Sequence, residues 1–236
     1  MNVANGERAK TPLGQDARVR RALELSIDRE ALNQVVFNGE FEPGNQWVAP
    51  TTPYYVKELP ILARDVAKAK ALLAAAGVVN PVVTLTVINN PVSTQVGQVI
   101  QAMAKEAGFD IRLQATEFVS ASQHTAKGAF EAILLGWGGG RADPDGNVYN
   151  PLTCNSPFND GHYCNPEVDR ELDIARTLDT RADRLAHYRI AAEHILQDLP
   201  IIYLYHPKWL YAYTARLSGF IPYPDGLIRP QGLHLE

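Results

Sequence analysis

The chain has 236 residues, 46% of them hydrophobic and 20% charged, which fits a globular protein with a real core and excludes a disordered one. Its net charge of −4 and the lack of a basic stripe exclude a nucleic-acid binder that works by neutralising phosphates. The apolar runs, such as residues 132–135 and 200–204, are far too short to span a bilayer.

The opening Met1-Asn2-Val3-Ala4-Asn5 has neither the basic start nor the apolar core of a secretory leader. Asp16 is placed to cap a helix through Val19, Ala22, Leu23 and Ser26. Asp28 is placed to cap a second, Arg29 to Phe37, ended by Asn38-Gly39. Residues 40–63 show little periodicity and predict a long irregular surface segment. Trp47 anchors it, either in the core or at the mouth of a cleft. Asp65 caps an alanine- and leucine-rich helix over 66–76, stopped by Gly77.

The β-branched run Val82–Ile88 reads as a strand. Asn89-Asn90-Pro91 turns it into a helix over 92–107, ended by Gly108. Residues 110–115 alternate as a strand, 119–128 read as a helix and 130–137 as a further strand. Strand, helix, strand, helix, strand in that order imply an α/β layer with mostly parallel pairing.

The last of these strands empties into Gly136-Trp137-Gly138-Gly139-Gly140-Arg141-Ala142-Asp143-Pro144-Asp145. Glycines let backbone approach another molecule closely, and a Trp offers a large flat apolar face. Ligands of open α/β sheets sit just past the carboxyl ends of strands. The stretch is therefore either one wall of a ligand site or a glycine-rich turn with the Trp packed beneath it. Asp143 is either part of a structural turn or faces the ligand.

Cys154 and Cys164 have nine residues between them, rich in turn formers. A disulfide here closes a short loop worth ~2–3 kcal/mol and points to an oxidising compartment. Free thiols, or a metal site completed by His162, are the alternatives, although two Cys and one His at this spacing match no usual zinc pattern. Pro166 opens a helix through Val168, Leu172, Ala175 and Leu178, and Thr180 opens another to about Gln197. Residues 200–205 and 208–213 read as strands. The Pro- and Gly-rich tail from Leu217 predicts little regular structure.

No complete catalytic set is visible. There is no Gly-x-Ser-x-Gly elbow and no phosphate loop ending in Gly-Lys-Ser/Thr. The glycine stretch precedes Asp-Pro rather than a helix start, so it is no dinucleotide fingerprint. Asp143, Asp145 and His162 are the only basis for a hydrolase reading, and a solvated turn explains the two acids more simply. His187 and His194, seven apart, lack the metalloprotease spacing and read as surface or packed residues.

Several segments together resemble one family. Asp16-Ala17-Arg18-Val19-Arg20-Arg21-Ala22-Leu23-Glu24-Leu25-Ser26-Ile27-Asp28-Arg29 is similar to its "D-x-R-V-R-x-A-…-A-I-D-R" segment. Asp65-Val66-Ala67-Lys68-Ala69-Lys70-Ala71-Leu72-Leu73-Ala74-Ala75-Ala76-Gly77 is similar to its "D-…-A-K-x-L-L-…-A-G" helix. The Gly136-Trp137 to Asp143-Pro144 stretch resembles its ligand loop. Tyr163-Cys164-Asn165-Pro166-Glu167-Val168-Asp169 and Leu199-Pro200-Ile201-Ile202-Tyr203-Leu204-Tyr205-His206 follow in the family's order. The family is the peptide- and nickel-type (family 5) extracellular solute-binding proteins of ABC importers.

The resemblance implies a periplasmic-binding-protein type II lobe, a mixed, mostly parallel sheet flanked by helices. Members are about twice this long and have two lobes. Residues 1–236 are expected to form a single lobe, the carboxyl-proximal one, with the amino-terminal lobe outside this sequence. The implied role is periplasmic: a peptide or peptide-like solute is held between the lobes, which close by hinge motion, and is delivered to an inner-membrane ABC permease. The implied site residues are Trp137, Gly138, Gly139, Gly140, Arg141 and Asp143, with Arg141 available for a ligand carboxylate. In peptide-binding members an Asp of this loop holds the ligand's amino terminus. That position is Gly140 here, and Asp143 matches the family's Asp before Pro, which leaves room for a modified peptide, an opine-like compound or a metal chelate. No enzymatic turnover, cofactor, resident metal or nucleic acid is expected. A sensory or chaperone-like receptor built on the same lobe is the competing reading. The lobe face left without its partner is expected to be apolar and to drive self-association.

Overall fold

The computed structural model describes residues 1–136 and 143–236. After a 3₁₀ turn over Glu7–Ala9 and a one-turn helix α1 (Pro12–Gln15), the helix starts are set by side-chain caps. Asp16 accepts from the Arg18 amide to open α2 (Ala17–Ser26), and Asp28 from the Ala31 amide to open α3 (Arg29–Phe37). Asn38, in the left-handed region at φ 53°, closes α3. A two-residue strand β1 (Glu42–Pro43) is the only regular element of the following segment. Asp65 caps α4 (Val66–Ala75) through the Lys68 amide.

Then come β2 (Val82–Ile88), α5 (Pro91–Glu106), β3 (Asp110–Thr116), α6 (Phe118–Ala126) and β4 (Ala132–Leu134). The three strands form one parallel sheet in the order β3-β2-β4, with Leu85 opposite both Leu113 and Ala132. β4 is shorter than the apolar run that predicts it. Ahead of it the Glu131 carboxylate, rather than a main-chain carbonyl, accepts the Thr84 amide at 2.8 Å. α5 lies tight against the sheet because Gly97 faces it: a Cβ there would come within 2.9 Å of Val87 Cγ1.

The second half is helical: α7 (Asp145–Leu152), α8 (Pro166–Thr177) and α9 (Arg181–Asp198). α7 is not anticipated by the sequence reading, because Asp143-Pro144 and the internal Pro151 read as loop. Two hydrophobic clusters result. One joins the sheet to α2, α4 and α5 through Val19, Leu23, Leu73, Val83, Val87, Val96 and Ile100. The other joins α7, α8 and α9 through Val148, Leu152, Leu172, Tyr188 and Ile195. Trp47, 9% exposed, packs in the second cluster, not at a surface mouth.

Two expected strands are absent among the described residues. Of residues 200–205 only Tyr205 enters a ladder, as part of β5 (Tyr205–His206), antiparallel to β1. Residues 200–204 instead alternate between the clusters: Ile202 and Leu204 against the first, Ile201 and Tyr203 against the second. Residues 208–213 form no strand. Trp209 lies on Gly226, where a Cβ would meet its ring at 2.4 Å. The tail holds one minimal antiparallel ladder, β6 (Leu217–Ser218) with β7 (His234–Leu235).

Candidate functional site

Because β2, β3 and β4 are parallel, their carboxyl ends open on one edge. From that edge the chain enters α5 through Asn90, α6 through Glu117, and the glycine–tryptophan stretch through Leu135 and Gly136. Val92, Phe118, Val119 and Leu135, at the start of these connections, are all exposed large apolar side chains. Added bulk at Gly136 would meet none of the described residues within 4 Å. Trp137, Gly138, Gly139, Gly140 and Arg141 lie outside the described residues.

Asp143, the one residue of the expected ligand set that is described, is held rather than free. Its two oxygens accept from Arg184, Nη1 to Oδ2 at 2.5 Å and Nη2 to Oδ1 at 2.9 Å. The same Oδ1 accepts the Asp145 amide at 3.0 Å. Arg184 also donates to the Ala175 carbonyl at 2.9 Å, the Tyr54 hydroxyl at 3.2 Å and the Tyr188 hydroxyl at 2.7 Å. A guanidinium has five N–H donors, and these five bonds use them all. The Tyr54 and Tyr188 rings meet edge-on and flank the guanidinium at about 5.5 Å. Hydrogen bonding to Arg184 holds the Asp143 carboxyl below the usual carboxylate value, and the same contact raises Arg184. Burial pushes the Tyr188 hydroxyl up to about 12, so it stays a neutral donor and acceptor.

Asp145 is committed as well, to Arg176 Nε at 3.2 Å, and Arg176 stacks over the Tyr149 ring. Neither acid of the hydrolase reading is thus uncommitted. Cys154 and Cys164 form a disulfide, which overturns the free-thiol and metal readings of that pair. The loop it closes is organised by buried Asn159, which donates to the Thr153 and Tyr163 carbonyls and accepts the Tyr163 amide. His162 sits there at φ 52°. His187 pairs through Nδ1 with the buried Glu171 at 2.6 Å, joining α9 to α8. Among the described residues, no group of three or more His, Cys, Asp or Glu is arranged to hold a metal ion.

Sequence reasoning missed Arg184, Tyr54 and Tyr188. The local signal for Arg184 and Tyr188 is their four-residue spacing on one face of α9. Nothing local links either to Asp143, which is 41 positions from Arg184.

The description "Bacterial extracellular solute-binding proteins, family 5 Middle" matches residues 1–159. The chain is 30% identical over 222 residues to the glutathione-binding protein GsiB of Pectobacterium atrosepticum, covering 89% of this chain and 43% of that protein. It is 25% identical over 219 residues to the probable di/tripeptide-binding protein 5 of Pseudomonas aeruginosa, covering 89% of this chain and 41% of that protein. Among solved structures it superposes on the murein tripeptide binding protein MppA of Escherichia coli with a TM-score of 0.83 at 25% identity, covering 96% of this chain and 46% of that one. The chain thus spans less than half the length of these relatives. Its α/β fold with a parallel sheet is that of type II periplasmic binding proteins. With two thirds of its residues matched by the family's own description and its fold shared, this chain belongs to the family 5 bacterial extracellular solute-binding proteins.

Proposed function

We propose that residues 1–236 are a single lobe of a two-lobed binding protein, the carboxyl-proximal one, acting in the periplasm. Its carboxyl sheet edge forms one wall of a cleft that takes a small peptide or peptide-like solute. The other wall comes from an amino-terminal lobe, and the closed form hands the solute to an ABC permease. Trp137 supplies a flat apolar face, Gly138, Gly139 and Gly140 supply backbone groups, and Arg141 meets a ligand carboxylate. Asp143 serves the same wall from its base. The role is binding without turnover.

The observation that carries this reading is that the glycine–tryptophan stretch leaves β4 at the edge where β2 and β3 also end, beside exposed Val92, Phe118 and Val119. The names of the relatives, which include di- and tripeptide and glutathione binders, support the ligand class.

The test is native mass spectrometry of the protein at its natural length, purified without refolding. A co-purified mass that fragments into amino acids is the expected result. A nickel chelate or a non-peptide adduct moves the ligand class. A protein that arrives empty and stays empty with dipeptide and tripeptide mixtures overturns the reading.

A further inference from the structure

We propose that Arg184 is a positioning residue for the ligand wall: it fixes the point at which residues 137–142 rejoin the fold and withdraws the Asp143 charge from the ligand. The charge-withdrawal part rests on the proposed function, since it needs the stretch to face a solute.

Three observations carry it. First, the guanidinium is fully subscribed. All five donors have acceptors drawn from three separate parts of the chain: Asp143, Tyr54 in the irregular segment, and Ala175 and Tyr188 of α8 and α9. An arginine meeting a ligand keeps donors for it, and this one has none to spare. Second, the pair is layered. The Arg184 side chain is 14% exposed and the Asp143 side chain 46%, so the cation sits beneath and the carboxylate on top. Third, the bidentate geometry requires arginine. A lysine ammonium has three donors and no planar fork, and cannot hold both Asp143 oxygens while bonding two tyrosines and a carbonyl.

The consequence is a choice of ligand charge. In the segment 136–145 the acids are Asp143 and Asp145, and both are paired with arginines. The third charged residue is Arg141. The wall therefore selects against a ligand that must place a free ammonium on it. It suits one whose near end is neutral or anionic, such as an amino-blocked peptide or a carboxylate. With Arg184 gone, the outer carboxylate of Asp143 becomes an acceptor for an ammonium group.

The experiment uses the protein at its natural length with Arg184→Met, Arg184→Lys and Asp143→Asn. Hydrogen exchange of the peptide covering residues 135–145 is read beside the thermal midpoint. Calorimetry compares Ala-Leu with N-acetyl-Ala-Leu. The expected result is faster exchange in 135–145 for both Arg184 variants, beyond any change elsewhere. The affinity ratio should shift toward free-amine Ala-Leu by roughly fivefold in Arg184→Met, the worth of a partly exposed ion pair, and not in Asp143→Asn. A structural role alone lowers both affinities equally, and that outcome overturns charge withdrawal. Unchanged exchange in 135–145 across the Arg184 variants overturns the anchoring. If the wild type binds neither probe while exchange responds, the anchoring stands and it is the peptide-cleft reading that fails.

Discussion

The arginines of α2 and of the start of α3 show how single residues bind the two halves of this fold. Arg20 donates to the Asp198 carbonyl at 2.8 and 2.7 Å, Arg21 to the Leu196 carbonyl, and Arg29 to the Tyr203 carbonyl at 2.9 Å. They satisfy the main chain where α9 ends and the segment after it has no ladder. The family-like "R-V-R-x-A" and "I-D-R" signatures thus have a physical reason: they clamp residues 196–203. Glu24 makes the clamp tolerable. Its side chain, 2% exposed, bridges Arg21 and the equally buried Arg29, whose Nη1 has no hydrogen-bond partner among the described residues. Glu24→Ala strands a buried cation and should cost about 3–5 kcal/mol in urea unfolding. A loss under about 1 kcal/mol would mean that Arg29 finds water when Glu24 is gone. Asp143 gives the second residue-level expectation. Its carboxyl titrates below the ordinary value of 3.8 because Arg184 favours the charged form. A group with a depressed folded value adds stability above its unfolded value, and that contribution is lost as pH falls through the folded one. Wild-type protection of residues 143–145 should therefore hold above about pH 4 and fade below it. Arg184→Met should remove this pH-dependent protection and raise the Asp143 titration into the ordinary carboxylate range, read by carboxyl NMR titration of Asp143. Identical titration of Asp143 in the two proteins would remove the pair from the account.

At the level of elements, what can be read ahead of the structure depends on whether the instruction is local. Asp16, Asp28, Asp65 and Asn90 each cap a helix through an amide two or three residues away, so those starts are visible in the chain. Val82–Ile88 is β-branched and half-buried, and becomes the central strand. Residues 200–204 mislead for a physical reason. Their alternation is real, but it reports two cores on either side of one extended segment, whose carbonyls are met one by one, Pro200 by the Met1 amino group, Tyr203 by Arg29 and Leu204 by the Gly44 amide. Likewise 208–213 is aromatic because its rings cover Gly226 and Phe220, not because it pairs. α7 escapes notice because its apolar face is two residues, Val148 and Leu152, around a Pro. The site divides the same way: the glycine–tryptophan stretch and Asp143 stand out by composition, whereas Arg184 reaches Asp143, and Tyr54 reaches Arg184, only through tertiary packing. The Cys154–Cys164 bridge was legible from its turn-rich interval. It secures the chain between α7 and α8, where the Cys154 amide also donates to Asp169. Closing so short a loop should contribute ~2–3 kcal/mol, chiefly by restricting the unfolded chain. Dithiothreitol, or the double change Cys154→Ser with Cys164→Ser, should lower the unfolding free energy by that amount. An unchanged denaturation midpoint with both thiols titrated as free would place the bridge's value elsewhere than in stability.

Across the whole molecule, apolar exposure is concentrated where the fold is least regular. Trp209, Leu210, Tyr213, Ile221, Leu227 and Ile228 are all at least about half exposed, on a stretch whose regular structure is confined to two-residue ladders. Isolated exposed apolar residues need no explanation, whereas several along one stretch make a surface of the kind that a partner covers. The relatives are more than twice as long as the region they share with this chain, and on the proposed two-lobe reading this surface is where the second lobe would sit. Residues 1–236 alone should then self-associate through it, burying against a second copy what the second lobe would cover. The expected observation is a sedimentation coefficient that rises with concentration from the low micromolar range upward, and that Leu210→Lys with Ile228→Lys abolishes. These two positions are exposed enough that the substitutions should leave the thermal midpoint nearly unchanged, which separates loss of association from loss of fold. On the same reading a two-lobed protein should stay monomeric under these conditions, because a second lobe in the same chain would compete for the face at a far higher effective concentration than any second molecule. A single monomeric species for residues 1–236 at every concentration would mean that this surface is solvated in its own right, and that the second lobe meets the fold at the carboxyl edge of the sheet alone.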